Sequence, residues 1–487
     1  MAIPPARLRP LNDLPAKDGG RYVLYWMIAS RRLRHNFALD RAVEHARALR
    51  RPVLVFEPLR VGYEYASDRI HQFVIDGMRD NEKEADAAGV RYLPYVEPTQ
   101  GAGRGLLQAL ARHACVVVTD DHPAFHYPAL LEAASHRVDV RLEAVDGNGL
   151  QPVHAADRAF STAFSFRRFL QAALPEHLET RPSAAPLRGI AGMSKAVVPR
   201  EVLRRWKSGR GDPAALPIDH TVGPAGISGG PAAGRRGLRR FVKERLAAYA
   251  DARNDPDVAA TSGLSPYLHF GHVGAHEVFA AVARQEGWSP ARLGSRPDGK
   301  RAGWWGMGPS AEAFLDQLVT WRELGFNTCV QRPDDYATFE ALPDWARRTL
   351  SEHRDDPRPH LYSFEDFEHA RTHDDVWNAA QRQLVAEGRI HNYLRMLWGK
   401  KILEWTSTPE DALEVMIHLN DKYALDGRDP NSYSGILWVL GRHDRAWGPE
   451  RRVFGKVRYM SSESARRKLK LRGYLERWAS ASARRGS

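Results

Sequence analysis

The residues of this chain best suited to chemistry are indoles rather than acids, bases or nucleophiles. In GRIHNYLRMLWGKKILEW, from Gly388 to Trp405, Trp398 and Trp405 stand seven positions apart, and Trp377 precedes them in THDDVWNAAQRQLVAEG. On a helix, residues i and i+7 share a face and lie roughly 10 Å apart along the axis. Two readings fit. Large rings on one helical face pack cores. An indole can also be oxidised transiently and pass charge across a short gap, so near a redox centre the same residues would form an electron relay. Arg395 lies in the same stretch, and LNDKYALDGRDPNSYSG downstream gathers Asn420, Asp421, Asp426 and Asp429. Such carboxylates can sit in a charged, solvated turn. They can also pair with Arg395 or, with nearby Arg and Asn, read the donors and acceptors of a uracil-like edge. HExxH is absent and no GxxxxGK is followed by Ser or Thr, so the familiar zinc-hydrolase and P-loop machineries are missing.

Three further stretches each admit two readings. GAGRG (Gly101 to Gly105) follows a strand and opens a helix, but Leu106 stands where a dinucleotide fingerprint needs its third glycine. A flexible βα turn is the better reading. TSGLSPYLHFG clusters Thr261, Ser262 and Ser265 ahead of a Pro-initiated helix, which suits an anion site or a plain hydroxyl cap equally. KVRYMSSESARRKLKLRGY, with GRHDRAW before it (carrying Arg445), interleaves basic and aromatic residues. That pattern can neutralise phosphates and stack bases, or form a solvated basic helix.

The elements that must position these residues divide the chain. In the first third, apolar runs (RYVLYWMIAS, RPVLVFEP, VRYLPYV, CVVVTDD, VDVRLEAVDG) alternate with helical periods. That alternation predicts βαβ units: a doubly wound parallel five-stranded sheet in an α/β domain over residues 1–175. Between 176 and 237 the composition turns to Gly, Pro and Ala. GPAGISGGPAAGRRG is expected to hold no regular element and to serve as a linker. From 238 to 487 nearly every segment has a helical period, which predicts an all-α domain. Ser363 with Asp366, and Thr408 ahead of Pro409, read as helix starts. The Gly/Pro-rich stretch 287–309, with Trp304 and Trp305, reads as a disordered surface insertion or as a nucleic-acid contact.

The 487 residues carry 71 basic against 59 acidic side chains, a formal charge of +12, which favours a polyanionic partner. Cys115 and Cys329 are the two cysteines and have no metal-ligand spacing. No apolar run approaches the ~20 residues of a membrane span. The chain is therefore expected to be soluble, cytoplasmic and monomeric, with no membrane partner and no metal.

TSGLSPYLHFG, THDDVWNAAQ, GRIHNYLRMLWGKKILEW, LDGRDPNSYSGILW, DRAWGPE and VRYMS together resemble the class II DNA photolyases, which repair cyclobutane pyrimidine dimers. YWMIASRRLRHNFAL resembles that family's first strand and helix, and the likeness covers essentially the whole chain. The resemblance implies an α/β antenna-type domain and a helical FAD-binding domain that uses reduced FAD, light and UV-damaged DNA with the dimer flipped into a pocket. It implies that Tyr249, Arg253, Thr261, Ser262, Leu264 and Ser265 line the adenine–phosphate side of FAD. Arg395, Asn420, Asp426 and Asp429 would surround the isoalloxazine, with Asn420 near N5. Trp398, Trp377 and Trp405 would form the photoreduction triad, in order from flavin to surface. Trp321 and Trp438 would flank the dimer, Met396 would floor the pocket, and Arg445 would join the substrate contacts. FLDQLVTWREL departs from the family by placing Gln317 where a dimer-bonding acid is usual. An antenna chromophore such as 8-hydroxydeazaflavin is allowed, as is an empty site. A cryptochrome-like photoreceptor and (6-4) photoproduct repair stand as alternatives.

Overall fold

The computed structural model describes residues 3–207, 209 and 211–479. Its contacts divide the chain into two bodies. The first comprises Met1–Ala156, Ala173–Arg240 and Gly263–Gln285; the second comprises Asp157–Ala172, Phe241–Ser262 and Glu286–Ser487.

The first body is built on six strands: β1 (Leu8–Pro10), β2 (Tyr22–Trp26), β3 (Val53–Leu59), β4 (Arg91–Val96), β5 (Ala114–Asp121) and β6 (Leu142–Asp146), in the order β1-β6-β5-β2-β3-β4. Strands β2 to β6 are the expected parallel five. β2 and β5 are buried along their whole length; β2 and the first five residues of β5 read as apolar runs, as strands covered on both faces do, and β5 ends in Thr119, Asp120 and Asp121. The sheet gains a sixth strand: β1 runs antiparallel to β6, with Leu8 opposite Val145. It is three residues long and mostly exposed, too short for any periodicity to reveal. Helices Phe37–Leu49, Asp68–Ala87, Leu106–Ala111 and Tyr127–Ser135 fall in sequence between the parallel strands.

Two carboxylates organise the strand-end loops. Asp120, at the end of β5, accepts the backbone N–H groups of Ile28, Ala29 and Ser30 on one oxygen (2.9, 2.8 and 2.9 Å) and the Tyr25 hydroxyl on the other (2.8 Å). Glu97 accepts from the N–H groups of Gly101 (2.9 Å), Gly103 (3.1 Å) and Val61 (3.2 Å). The N–H cradle of GAGRG is thus filled by the protein's own carboxylate, in keeping with a turn rather than a phosphate site.

Gly/Pro-rich residues 223–237 do contain a regular element, helix Pro231–Arg240, contrary to the sequence expectation. Its start is held from outside: Asp76 accepts the N–H of Gly229 (3.1 Å) and Asp80 that of Ala232 (2.9 Å). Gly234 is there for close packing, since a Cβ would lie 2.5 Å from Val273 Cγ2 and 3.0 Å from the Tyr267 ring.

The second body is helical. Helix Pro309–Leu315 continues through a π-helical stretch, Asp316–Trp321, into Arg322–Gln331. Helices Asp375–Glu387, Asn392–Trp405, Pro409–Tyr423 and Pro430–Val439 follow. Ser363–Asp366 and Thr408–Asp411 both form capping boxes. Stretch 287–309 is ordered, and its indoles are buried: the Trp288 N–H donates to the Trp305 carbonyl (2.6 Å), and Glu312 accepts the Met307 N–H (3.3 Å). Those rings offer no exposed face to a nucleic acid. No helix among the described residues is long and apolar enough to cross a membrane.

Asp120→Ala leaves three buried backbone donors without their acceptor. Hydrogen bonds to a charged group contribute about 1.5–3 kcal/mol each at most and are not additive, so a total loss of about 3 kcal/mol is expected. Thermal melts of the intact protein should show the transition that unfolds the first body falling by several degrees, while Asp139→Ala, on the surface, leaves it in place.

Candidate functional site

The three indoles meet in the second body, though not along one helix. Trp377, from helix Asp375–Glu387, lies between the two tryptophans of helix Asn392–Trp405. Its ring stacks on Trp398 with centroids 6.5 Å apart and planes 5° from parallel, and meets Trp405 edge-on at 6.0 Å. All three are buried, at 3, 0 and 2% exposure for Trp398, Trp377 and Trp405. Burial demands a partner for each indole N–H. Trp377 Nε1 donates to the Trp398 carbonyl (3.0 Å), and Trp398 Nε1 donates to Gln381 Oε1 (2.9 Å). The file ends beneath other rings rather than at the surface: Trp405 is met by Tyr362 at 5.6 Å and by His373 at 5.0 Å.

The loop between these helices explains the register. Asp374 caps the first through the Trp377 N–H (3.0 Å), and Gly388 ends it at φ 67°. Gln383 then accepts the His391 N–H at 3.2 Å, one residue before the second helix starts.

The file opens on a small cavity. Arg395, Met396, Trp398, Met416, Asn420, Ser432, Gly435, Ile436 and Val439 line it. Arg395, Trp398 and Asn420 are thereby brought together as expected. The carboxylates behave otherwise. Arg395 makes no ion pair among the described residues: its Nη2 reaches Asn392 Oδ1 at 3.4 Å, and its buried Nε has no partner. Asp429 caps helix Pro430–Val439 by accepting the Asn431 N–H (2.9 Å), and neither Asp426 nor Asp429 lines the cavity.

A second cavity, of ≈ 570 Å³, shares Met396 with the first. Its wall includes Asn254, Trp438, Trp447, Arg451, Arg458 and Lys468. Trp447 and Arg458 were not singled out from the sequence, although DRAW and VRYM carry them. The Arg458 guanidinium lies 4.0 Å from the Trp447 centroid and 5.5 Å from that of Trp438. Asp444 orients it, accepting Nε at 2.8 Å and Nη2 at 3.2 Å. Arg445 is exposed beside this wall, over the Trp447 ring at 4.5 Å. Trp321 and Gln317 are half-buried on the π-helical stretch and do not line this cavity. Next to Gln317, Asp316 is occupied by Arg167 at 2.8 Å.

Tyr249 is buried against Phe241 and Phe314, with the Arg253 guanidinium 5.6 Å from its ring; burial raises its hydroxyl pKa. The Arg253 carbonyl meets His391 Nε2 at 3.0 Å, tying this segment to the start of helix Asn392–Trp405. The Thr261 carbonyl accepts from Arg245 (3.2 Å), and Thr261 and Ser262 are half-buried. Leu264 and Ser265 belong to the first body, where no side chain caps the five-residue helix Ser265–His269.

Lys400 is a further group that periodicity did not single out. Fully buried, it donates through Nζ to the Val439 carbonyl and stands 5.2 Å from the Trp438 centroid. Burial pulls its pKa down to about 7; Asp444 opposes that shift and Arg458 adds to it.

No family model matches the chain. Among solved structures, a bacterial class III photolyase from Agrobacterium tumefaciens aligns with a TM-score of 0.70 at 16% identity, over 94% of this chain and 86% of that one. The Synechocystis sp. PCC6803 cryptochrome aligns at 0.66 and 15%, over 94% and 88%. At those identities they define the architecture, that of photolyases and cryptochromes. Curated relatives narrow it. The deoxyribodipyrimidine photo-lyase of Methanothermobacter thermautotrophicus is 34% identical over 97% of both chains. That of Oryza sativa subsp. japonica is 35% identical over 96% of this chain and 90% of its own. The chain belongs to the deoxyribodipyrimidine photolyases, enzymes of the lyase class.

Lys400 predicts a pH signature. A lysine whose folded pKa lies below its unfolded value costs stability in full below the folded pKa, and that cost is relieved as pH rises toward the unfolded one. Lys400→Met should therefore melt above wild type at pH 6, by about 2 kcal/mol, because an apolar replacement removes a buried charge. The gap should narrow steadily from pH 7 to pH 10 in matched thermal melts.

Proposed function

We propose that this photolyase is of class II and splits cyclobutane pyrimidine dimers in DNA, using blue or near-UV light and reduced FAD. The carrying observation is the meeting, at Met396, of a cavity headed by a file of three indoles and a wider one walled by indoles and cations. When bound, the flavin supplies the loan of one electron to the dimer, which opens the ring-linking bonds and is then returned.

The residues present fit that group. The small cavity offers an orphaned buried donor, Arg395 Nε, and an amide, Asn420, on the walls around it, which suits a heterocycle that carries both acceptors and N–H donors. Of the residues that the family pattern assigns to the adenine and phosphates, Tyr249, Arg253, Thr261 and Ser262 share the second body with the small cavity. Trp398, Trp377 and Trp405 would feed electrons inward to reduce the cofactor. Centroid spacings of 6.5 and 6.0 Å keep each hop short, and hydrogen-bonded N–H groups keep two of the rings in one orientation.

In the wide cavity, Trp438 offers a face for a flipped base, and Arg451, Arg458 and Lys468 can neutralise phosphates. A dimer is extruded more cheaply than a normal base because its pairing is already damaged. Trp321 and Gln317 are kept as the opposite flank by the family pattern, with Gln317 donating through its amide. An antenna chromophore is not required by this scheme.

The test is a repair assay on FAD-loaded protein with an oligonucleotide carrying one thymine dimer. Light-dependent restoration of thymines supports the proposal. Intact dimers alongside reducible FAD would favour a photoreceptor, the reading that Gln317 tilts toward. Restoration of a (6-4) lesion instead would reassign the substrate.

Two variants separate the roles. Trp377→Phe should slow photoreduction at least tenfold yet repair normally once the flavin is reduced chemically. Trp438→Ala should weaken binding of dimer-containing oligonucleotide by about 1–3 kcal/mol, the range of one base–aromatic stack, in a titration at fixed salt.

A further inference from the structure

Lys400 is a buried cation that the repair scheme does not use, and it stands against the wall of the wide cavity. Its Nζ donates to the Val439 carbonyl and is 5.2 Å from the centroid of Trp438, a residue of that wall. The Val439 carbonyl ends helix Pro430–Val439, where carbonyls lack partners within the helix. A neutral amine still has N–H groups to donate, so this bond survives loss of the charge. Titration of Lys400 therefore changes the charge beside the ring and leaves the helix end supported.

Two charges act on Lys400. Arg458, whose guanidinium is 5.5 Å from the same centroid, repels it, and Asp444 attracts it. Both come from the segment after helix Pro430–Val439. The helices around this position present Val439, Trp438 and, at Gly399, Met416. On its own helix, Lys401 is paired with Glu404 at 2.6 Å. Burial, with Arg458 adding to it, brings the Lys400 pKa down to about 7, so a modest change in its surroundings moves its charge at neutral pH. A phosphate held by the cavity's cations is such a change. It opposes the Arg458 charge, and across a low-dielectric wall its own charge reaches Lys400. Covering the cavity costs Lys400 little, because the side chain has already lost its water. The residues lining the cavity include no histidine, and burial raises the Tyr393 hydroxyl further from neutrality.

We propose that Lys400 is the site of proton uptake on substrate binding: a phosphate-bearing ligand in the wide cavity draws a proton from solvent onto this amine, and the protein holds DNA more tightly where the amine is charged. This rests on the reading of the wide cavity as the DNA site. Lys400 touches no substrate atom; it acts through the cavity wall.

The experiment is a titration, in the dark, of FAD-loaded protein with an oligonucleotide carrying one thymine dimer, from pH 6 to pH 9 at fixed salt. Coupling is reciprocal: a ligand that raises the proton affinity of Lys400 about tenfold is bound about tenfold more tightly by the charged form. Affinity should hold level below pH 7, where Lys400 is charged with or without DNA, and fall about tenfold by pH 9, where it is neutral in both. Titration calorimetry at pH 7.5, in two buffers of different ionisation enthalpy, should show uptake of about half a proton per complex. Lys400→Met should bind with a level profile and no uptake. Lys400→Arg, charged throughout this range, should do the same, which keeps the proposal testable should Lys400→Met not fold. Uptake that persists in either folded variant would overturn the proposal, assigning the proton to another group. Wild-type binding with a level profile and no uptake would overturn it while sparing the DNA reading. Failure of the dimer oligonucleotide to bind at any pH would overturn both.

Discussion

The hydrogen bond from the Trp377 indole to the Trp398 carbonyl ties the second body's two central helices together. Burying an unpaired N–H costs about 1–3 kcal/mol, so the rings can be hidden only if the helices are set to satisfy them. Gln381, one turn beyond Trp377, closes the account by accepting from Trp398. Once that register is set, helix Asn392–Trp405 has no freedom left. Arg395 and Met396, three and two residues before Trp398, then face the cavities, and Lys400 lies against Trp438. The interaction that orders the indoles thus also aims the residues around the cavities.

The same economy shows in the polar groups behind the small cavity. The buried Asn420 amide, with two acceptors behind it, and the Asp421 carboxylate, with three donors in front of it, leave no alternative network. Partly satisfied polar clusters are costly in a low-dielectric interior; fully satisfied ones are rigid. Arg395 Nε is the exception, buried without a protein partner at the cavity wall. A donor left open beside an otherwise saturated network points to a ligand acceptor.

Much of this architecture could be read from the sequence, for physical reasons. Strands covered on both faces, such as β2 and the first part of β5, are rich in apolar residues, so they stand out as runs. Strand β1 carries no such signal, because it is stabilised by its pairing with β6 rather than by its own side chains. Helix Pro231–Arg240 was illegible because its caps, Asp76 and Asp80, come from another helix and its glycine answers to Val273 and Tyr267. Trp398 and Trp405 could be paired by spacing, but that Trp377 lies between them depends on a neighbouring helix. Asp429 looked like a partner for Arg395 in sequence and is a helix cap in space. Trp447 and Arg458 were present as letters in DRAW and VRYM, and only the chain path lays one upon the other.

The close approach of helices at the cavity is itself a matter of missing atoms. A Cβ on Gly399 would lie 2.6 Å from Val439 Cγ2 and 3.0 Å from the Met416 sulfur. Helix Asn392–Trp405 can therefore lie against Pro430–Val439 and Pro409–Tyr423 only with glycine at that position. Gly435, on the opposite wall, meets nothing nearer than Arg395 Nη2 at 3.9 Å. One glycine draws the helices together behind the cavity while the other leaves its mouth open. Glycine in a helix interior costs about 0.5–1 kcal/mol relative to alanine. At Gly399 packing offsets that cost. At Gly435 no neighbour demands the missing Cβ, so there no packing offsets the cost, and the space beside Arg395 stays open.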